Sequence, residues 1–172
     1  GVIALMRMKP FLPEGITLGD NPLVIVVESI EKPGNLGAIF RTADACGADC
    51  VMVCDPLADV FNPNVIRAST GACFSVQCIC CTSEEAFKWL KIHNVSILIT
   101  QLQDASLYYD TDMRGAVAIV FGREDTGLSS FWKERSDAQI RIPMGGICDS
   151  LNVSVSAAVI CFEDLRQRAK NT

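Results

Sequence analysis

The fold class is decided by one stretch near the start of the chain, Leu23-Val-Ile-Val-Val-Glu28 followed by Ser-Ile-Glu-Lys-Pro-Gly-Asn-Leu-Gly-Ala-Ile-Phe-Arg41. Its first part is a continuous apolar run, rich in β-branched residues, which is typical of a parallel strand covered on both faces. Its second part leads into apolar residues spaced three to four apart, which predicts a helix with one apolar stripe. A buried strand that passes into a helix is the repeating unit of an α/β fold.

The same alternation continues to the end of the chain. Six apolar runs predict strands, at Leu23–Glu28, Cys50–Cys54, Phe74–Cys80, Val95–Thr100, Ala116–Phe121 and Gln139–Ile142. Helical patterns lie between and after them, at Leu36–Cys46, Pro63–Ser69, Glu84–His93, Leu128–Arg135 and from about Ser150 to Arg168. The sequence therefore predicts an α/β fold with a mostly parallel six-stranded sheet and helices on both faces.

Length and composition fit one domain with a sizeable core. The chain has 172 residues, of which 49% are apolar and 20% charged. Its longest uncharged apolar run, Val153–Phe162, is much shorter than the roughly 20 residues that cross a bilayer, which argues against a membrane span. Proline and glycine interrupt the first twenty residues too often for a helix, so we interpret residues 1–20 as a linker and residues 21–172 as the domain. A start at Gly1 fits an expression scar or a cut inside a longer protein.

Charge and cysteine content limit the partners and the compartment. Fifteen Lys and Arg against 20 Asp and Glu give a net charge of −5, which argues against a surface that holds nucleic acid by overall charge. An RNA held locally, or by another domain, stays open. Several of the nine cysteines lie within apolar runs, where a reduced thiol behaves as a small hydrophobe, and this favours a reducing cytoplasm.

Unusual polar residues follow three of the predicted strands. They lie in the segments Glu28–Arg41, Phe121–Leu128 and Ile142–Asn152. Ligands of open α/β sheets bind beyond the carboxyl ends of the strands, so these segments could share one site, or each could simply build its own loop. The glycine motifs of dinucleotide enzymes and P-loop hydrolases are absent. With His93 as the single histidine, any chemistry falls to Arg, Glu, Asn or Ser without a metal.

Each candidate residue also has a structural interpretation. Asn35 could cap the first helix, and Ser150 the last. Arg41 lies off the apolar stripe of its helix and could be plain solvated surface. Glu124 could face a helix amino terminus.

Taken together, the three segments resemble the SpoU (TrmH-like) branch of the SPOUT RNA methyltransferases. The resemblance rests on Glu31–Gly47, Ile119–Leu128 and Ile142–Ala158, and it extends from about Asn21 to Arg168. It implies a deep trefoil knot, made from roughly residues 116–152 and the following helix. It also implies S-adenosylmethionine as the cofactor, no metal, and a homodimer in which both protomers contribute to each active site.

The resemblance assigns roles to ten positions. Thr100, Gly122, Ile142 and Leu151 should line the cofactor pocket, with Met144 near the adenine and methionine ends. The implied reaction is methyl transfer to a ribose 2′-hydroxyl of rRNA or tRNA, in which Arg41 activates the nucleophile and either Arg41 or a substrate phosphate takes the proton. The remaining catalytic positions are Asn35, Glu124, Ser150 and Asn152.

The acidic charge then implies that most RNA affinity lies in an upstream RNA-binding domain, of which residues 1–20 are a linker or remnant. Lys32, Arg41, Arg67 and Arg123 should contribute locally. Two alternatives stay open, a non-catalytic knotted RNA-binding relative and a different nucleotide-binding α/β enzyme.

Overall fold

A computed structural model describes residues 13–123 and 125–169 and shows a parallel sheet between two layers of helices. The strands are β1 Leu23–Glu28, β2 Cys50–Cys54, β3 Cys78–Cys81, β4 Ser96–Thr100, β5 Ser106–Leu107, β6 Val117–Phe121 and β7 Ala138–Arg141. The helices are α1 Pro33–Cys46, α2 Pro63–Ser69, α3 Ser83–Ile92, α4 Ser130–Arg135 and α5 Val153–Ala169. Single 3₁₀ turns lie at Pro13–Gly15, Ala72–Phe74 and Tyr108–Asp110.

The strand order is β3-β2-β1-β6-β4-β7-β5, and every pairing in it is parallel. The chain places β1, β2 and β3 successively towards one edge and then crosses to the other side of β1. There β6 is inserted between β1 and β4, and β7 between β4 and β5. This reversal brings the carboxyl ends of β1, β6, β4 and β7 side by side, where open α/β sheets bind ligands.

Two apolar cores explain why the central strands β1, β2 and β6 are almost entirely apolar. All six residues of β1 are buried. Ile25 and Val27 pack into the core beneath α1, α2 and α5, whereas Val24 and Val26 pack into the core beneath α3 and α4. Successive side chains of a strand point to opposite faces, so a strand covered on both sides has no polar positions to alternate. The predicted α/β fold with helices on both faces is confirmed.

The number of strands differs from the prediction, which was six. The seventh is β5, and it has only two residues, Ser106–Leu107, too few to form an apolar run. The third strand also begins later than predicted, at Cys78 in place of Phe74, because residues 72–74 form a 3₁₀ turn.

Both helix caps suggested by the sequence are wrong. Helix α1 begins at Pro33 after the extended Lys32, so Asn35 is an interior helical residue. Proline fits this first helical position because its φ is preset and its missing N–H needs no partner there. At α5, the side-chain oxygen of Asn152 accepts hydrogen bonds from the Ser154 N–H at 3.0 Å and the Ser154 hydroxyl at 2.7 Å, which leaves Ser150 outside the cap.

The described part of the predicted linker, residues 13–20, packs against the domain. Thr17 and Gln77 exchange hydrogen bonds of 2.9 and 2.8 Å, and Ile16 and Leu18 contact the core on the α3–α4 side. Residues 1–12 lie outside the described residues. Within residues 13–123 and 125–169, no helix is both long and apolar enough to cross a membrane.

Candidate functional site

A cleft of about 720 Å³ opens at the carboxyl ends of β4, β6 and β7, against the start of α5. It contains all five positions predicted to bind the cofactor, Thr100, Gly122, Ile142, Met144 and Leu151. The predicted catalytic residues Ser150 and Asn152 also line it. Further lining residues are Lys32, 101–103, Phe121, Arg123, 125–128, Lys133, 140–141, Val153, Ser156 and Ile160. Three segments that are far apart in sequence therefore meet in one cleft, which the first of them lines through Lys32.

One wall of the cleft is a tight turn after β6, in which glycine is required. A Cβ atom on Gly122 would lie 2.4 Å from the carbonyl carbon of Gly127 and 2.5 Å from the nitrogen of Leu128. Gly127 itself has a φ of +67°, a conformation that other residues adopt only with strain. Its N–H donates to the Arg123 carbonyl at 3.0 Å, which closes the turn. We call residues 123 and 125–128 the cleft wall.

Arg123 is held by acidic neighbours on the cleft wall. Its guanidinium donates two hydrogen bonds to Asp125, at 2.9 and 2.8 Å, and a third to Glu31 at 3.0 Å. The guanidinium of Arg123 lowers the pKa of Asp125 to about 2, so the pair stays charged at neutral pH. The predicted RNA contact Arg123 therefore already has its charge balanced by Asp125 and Glu31.

Three further cationic side chains line the cleft, Arg141, Lys32 and Lys133. Arg141 is half-buried and donates from Nε to the Ala105 carbonyl at 3.0 Å, whereas both lysine side chains are exposed. Among the described residues, neither forms an ion pair. These two ammonium groups are available to a phosphate.

The floor of the cleft presents one unsatisfied polar atom. The Thr100 hydroxyl donates to the Val120 carbonyl at 3.0 Å. The side-chain N–H of Gln101 donates to the Gln103 carbonyl at 3.0 Å. The side-chain carbonyl oxygen of Gln101, Oε1, is buried and receives no hydrogen bond from the described residues. A buried acceptor without a donor is costly, so a ligand N–H in this cleft would satisfy it.

The Asn35 and Asn152 side chains join the first and third segments. The Asn152 Nδ2 donates to the Asn35 Oδ1 at 3.2 Å, while the Asn152 Oδ1 caps α5. Asn35 is not one of the lining residues but is thereby held against one that is. Ser150 is exposed, and its hydroxyl donates to Asp149 at 3.0 Å.

Two described residues that were predicted to be catalytic, Asn35 and Arg41, do not line the cleft. Arg41 is exposed on α1 and is not one of the residues that line the cleft of its own chain. Glu124 lies outside the described residues. Among the described residues, no group of three or more His, Cys, Asp or Glu side chains could hold a metal ion.

Sequence reasoning did not predict the buried carboxylate that lies behind the cleft wall. Glu28 ends β1 and is 7% exposed, and its carboxylate accepts hydrogen bonds from the N–H and the hydroxyl of Ser129 at 2.8 and 2.6 Å. Ser83 and Trp132 lie beside it, with the Trp132 indole N–H donating to the Ser83 hydroxyl at 3.1 Å. A charged residue that closes a wholly apolar run was the only local signal.

Comparison with known proteins finds a matching family and similar sequences. Residues 22–162 match the SpoU rRNA Methylase family. The chain is 35% identical over 176 residues to the 23S rRNA (guanosine-2′-O-)-methyltransferase RlmB of Salmonella typhi, covering 98% of this chain and 72% of the relative. It is 32% identical over 139 residues to the 23S rRNA (guanosine(2553)-2′-O)-methyltransferase RlmP of Bacillus subtilis, covering 81% of this chain and 56% of that protein.

A solved structure agrees over the whole domain. The SpoU methyltransferase AviRb from Streptomyces viridochromogenes, in complex with the cofactor AdoMet, superposes with a TM-score of 0.91 at 29% identity. The match covers 95% of this chain and 67% of AviRb. The chain thus corresponds to between 56% and 72% of the length of these three proteins.

Proposed function

The chain belongs to the SpoU rRNA methylase family, and from that premise we propose that it transfers the methyl group of S-adenosylmethionine to a ribose 2′-hydroxyl of rRNA. The observation that carries the proposal is the convergence of Thr100, Gly122, Ile142, Met144 and Leu151 on one cleft. The relatives named above are rRNA 2′-O-methyltransferases, which favours rRNA over tRNA. They also disfavour the non-catalytic alternative, and the family match replaces the alternative of a different nucleotide-binding enzyme.

The cleft fits the cofactor in size and chemistry. Its volume of about 720 Å³ lies within the range of roughly 300–1,000 Å³ for small-molecule sites. The side chains of Ile142 and Leu151 offer apolar surface to an adenine, and the unsatisfied oxygen of Gln101 offers an acceptor to an amino group. When bound, S-adenosylmethionine supplies a methyl group already activated by its sulfonium.

The chain's own residues then orient the acceptor. A neutral hydroxyl is a poor nucleophile and needs an activating environment. A guanidinium keeps its proton, so Arg41 suits the stabilisation of a developing alkoxide or of the adjacent phosphate. The bond from Asn152 to Asn35 fixes the amino-terminal part of α1 against the cleft, and Glu124 and Ser150 keep the orienting roles that the resemblance assigns.

We propose a homodimer, because Arg41 lies outside the cleft of its own chain. The partner's Arg41 would complete the site. Helix α1, which carries Arg41, packs against α5, and α5 exposes Val155, Phe162 and Leu165 at 46%, 46% and 38%. Exposed apolar side chains on one helix are typical of a contact surface between subunits.

Complementation between two inactive variants tests this composite site. Arg41→Ala keeps the cleft but removes the guanidinium, and Leu151→Arg obstructs the cleft but keeps the guanidinium. The two variants are unfolded, mixed and refolded together so that heterodimers form. If each cleft uses its partner's Arg41, the heterodimer regains methyl transfer. If each chain uses its own Arg41, the mixture stays inactive.

The substrate, the domain arrangement and the compartment follow from the same proposal. Lys32 and Lys133 would contact the RNA backbone, whereas Arg123 is already paired. With a net charge of −5, the domain needs further RNA affinity from an upstream RNA-binding domain, to which residues 1–20 would connect. An rRNA-modifying protein whose free thiols are mostly buried suits the reducing cytoplasm.

We further propose that the chain forms a deep trefoil knot around residues 116–152. Support comes from the insertion of β6 between β1 and β4, and of β7 between β4 and β5.

The direct test of the function is calorimetry with S-adenosylmethionine, followed by methylation of rRNA and mapping of the 2′-O-methyl mark. Binding together with a mapped ribose mark supports the proposal. Binding without a mark returns the protein to the non-catalytic alternative.

A further inference from the structure

The Glu28 carboxylate is buried, and the groups that donate hydrogen bonds to it lie in a distant part of the chain. It accepts from the Ser129 N–H at 2.8 Å and the Ser129 hydroxyl at 2.6 Å, across 101 residues of sequence. The Ser83 hydroxyl oxygen lies 3.4 Å from Glu28 Oε1 but 2.6 Å from Asp55 Oδ2. Because a hydroxyl has a single hydrogen, Ser83 donates it to Asp55. Ser129 therefore supplies the short hydrogen bonds to Glu28. Such bonds to a buried carboxylate are among the stronger ones in proteins.

Ser129 is the residue that follows the cleft wall and precedes α4. The wall begins after Gly122, where β6 ends, and it is fixed there by the close approach of Gly122 to Gly127. Its far end is fixed by Glu28, which belongs to β1, the strand paired with β6. The two ends of the wall are thus attached to neighbouring central strands.

Behind the wall there is a hollow in place of packed side chains. This second cavity has a volume of about 260 Å³ and is lined by Glu28, Ser29, Arg123 and residues 126–129. Arg123 and residues 126–128 line both the hollow and the cleft, so the wall is thin. At its far end the wall is supported by Leu128, which packs into the apolar core beneath α3 and α4, and the hydrogen bonds from Ser129 to Glu28 fix the residue that follows.

We propose that Glu28 is a positioning residue, whose carboxylate holds the cleft wall, residues 123 and 125–128, at the spacing that cofactor binding requires. That cofactor binding depends on the position of the wall rests on the proposed function. That Glu28 holds the wall is independent of the proposed function.

The test compares Glu28→Gln with a matched control. Glutamine has the same size and keeps one oxygen that can accept from Ser129, but its NH₂ group cannot accept, so the wall loses one of the two hydrogen bonds. We expect S-adenosylmethionine to bind about tenfold more weakly. The control is Asp164→Asn. Asp164 is an equally buried carboxylate that pairs with Arg168, and Arg168 also donates to the Asn21, Met113 and Gly115 carbonyls beside the amino ends of β1 and β6. That variant should lower Tm but leave cofactor affinity unchanged.

A double-mutant cycle with Ser129→Ala separates positioning from general destabilisation. If Glu28 acts through Ser129, the losses of cofactor affinity in Glu28→Gln and Ser129→Ala are not additive. Additive losses, or a folded Glu28→Gln with wild-type affinity, overturn the proposal.

Hydrogen exchange provides a readout that needs no cofactor. Glu28→Gln should remove protection of the Gly127 and Ser129 amides, whereas Asp164→Asn should leave both protected. If the wild type does not bind S-adenosylmethionine, the proposed function fails, yet this exchange result still decides whether Glu28 holds the wall. Unchanged protection in Glu28→Gln contradicts the proposal on its own.

Discussion

The side-chain amide of Asn152 donates a hydrogen bond to the side-chain oxygen of Asn35 at 3.2 Å, which joins two segments 117 residues apart. The same Asn152 side chain begins α5 by accepting from Ser154. One residue therefore fixes the start of the last helix and attaches it to the first. This link brings the first of the three polar segments to the edge of the cleft.

Asn152→Asp should separate these two roles. Aspartate keeps an oxygen that can cap α5 but loses the N–H that reaches Asn35, and it places two acceptors opposite each other. We expect kcat to fall about tenfold or more, with Tm near that of wild type. Asn152→Ala, which also removes the cap, should lower stability by about 1 kcal/mol in addition. Equal kcat for wild type and Asn152→Asp would remove this bond from the mechanism.

Leu151→Arg should weaken cofactor binding, because it introduces a long cation beside the apolar lining of the cleft. Calorimetry should show a Kd for S-adenosylmethionine about tenfold or more above that of wild type. Ile92→Arg is the matched control, since Ile92 is an exposed apolar residue on α3 and does not line the cleft. Wild-type affinity in a folded Leu151→Arg protein contradicts the assignment of Leu151 to the cofactor site.

Lys133→Gln should weaken RNA binding by removing one phosphate contact. The slope of log K against log salt concentration should become shallower by about one unit. Lys88→Gln is a suitable control, because Lys88 is also an exposed helical lysine but already pairs with Glu84 at 2.7 Å. If the two variants have the same salt dependence, Lys133 does not contact RNA.

The Arg123–Asp125 pair makes a prediction about pH. The hydrogen bonds from Arg123 lower the pKa of Asp125 to about 2, below the ordinary value of 3.8. Because the pKa is lower in the folded protein, the pair's stabilisation is complete above about pH 3.8 and is lost as the pH falls through 2. Arg123→Gln should raise the pKa of Asp125 towards 3.8, as followed by carboxyl-carbon NMR. Arg114→Gln, which removes the partner of Asp112, should leave Asp125 unchanged.

The sequence was sufficient for features that depend on local pattern. Apolar runs predicted the central strands β1, β2, β4 and β6 closely, because burial on both faces of the sheet demands apolar side chains, as at every position of β1. The two-residue β5 was missed because it carries no such pattern. The three polar segments were found because they follow strands and share one edge of a parallel sheet.

Features that depend on contacts between distant residues could not be predicted. Glu28 meets Ser129 only because β1 pairs with β6, and no local pattern states that pairing. The helix-capping interpretation of Asn35 was wrong because Pro33 takes the first helical position. Arg41 does not line the cleft of its own chain, and no local pattern indicates this.

The most direct test of the account is methyl transfer to rRNA by Arg41→Ala, measured beside its affinity for S-adenosylmethionine. The account predicts that the variant binds the cofactor as wild type does, since Arg41 does not line the cleft of its own chain, but transfers no methyl group. Turnover equal to that of wild type would contradict it.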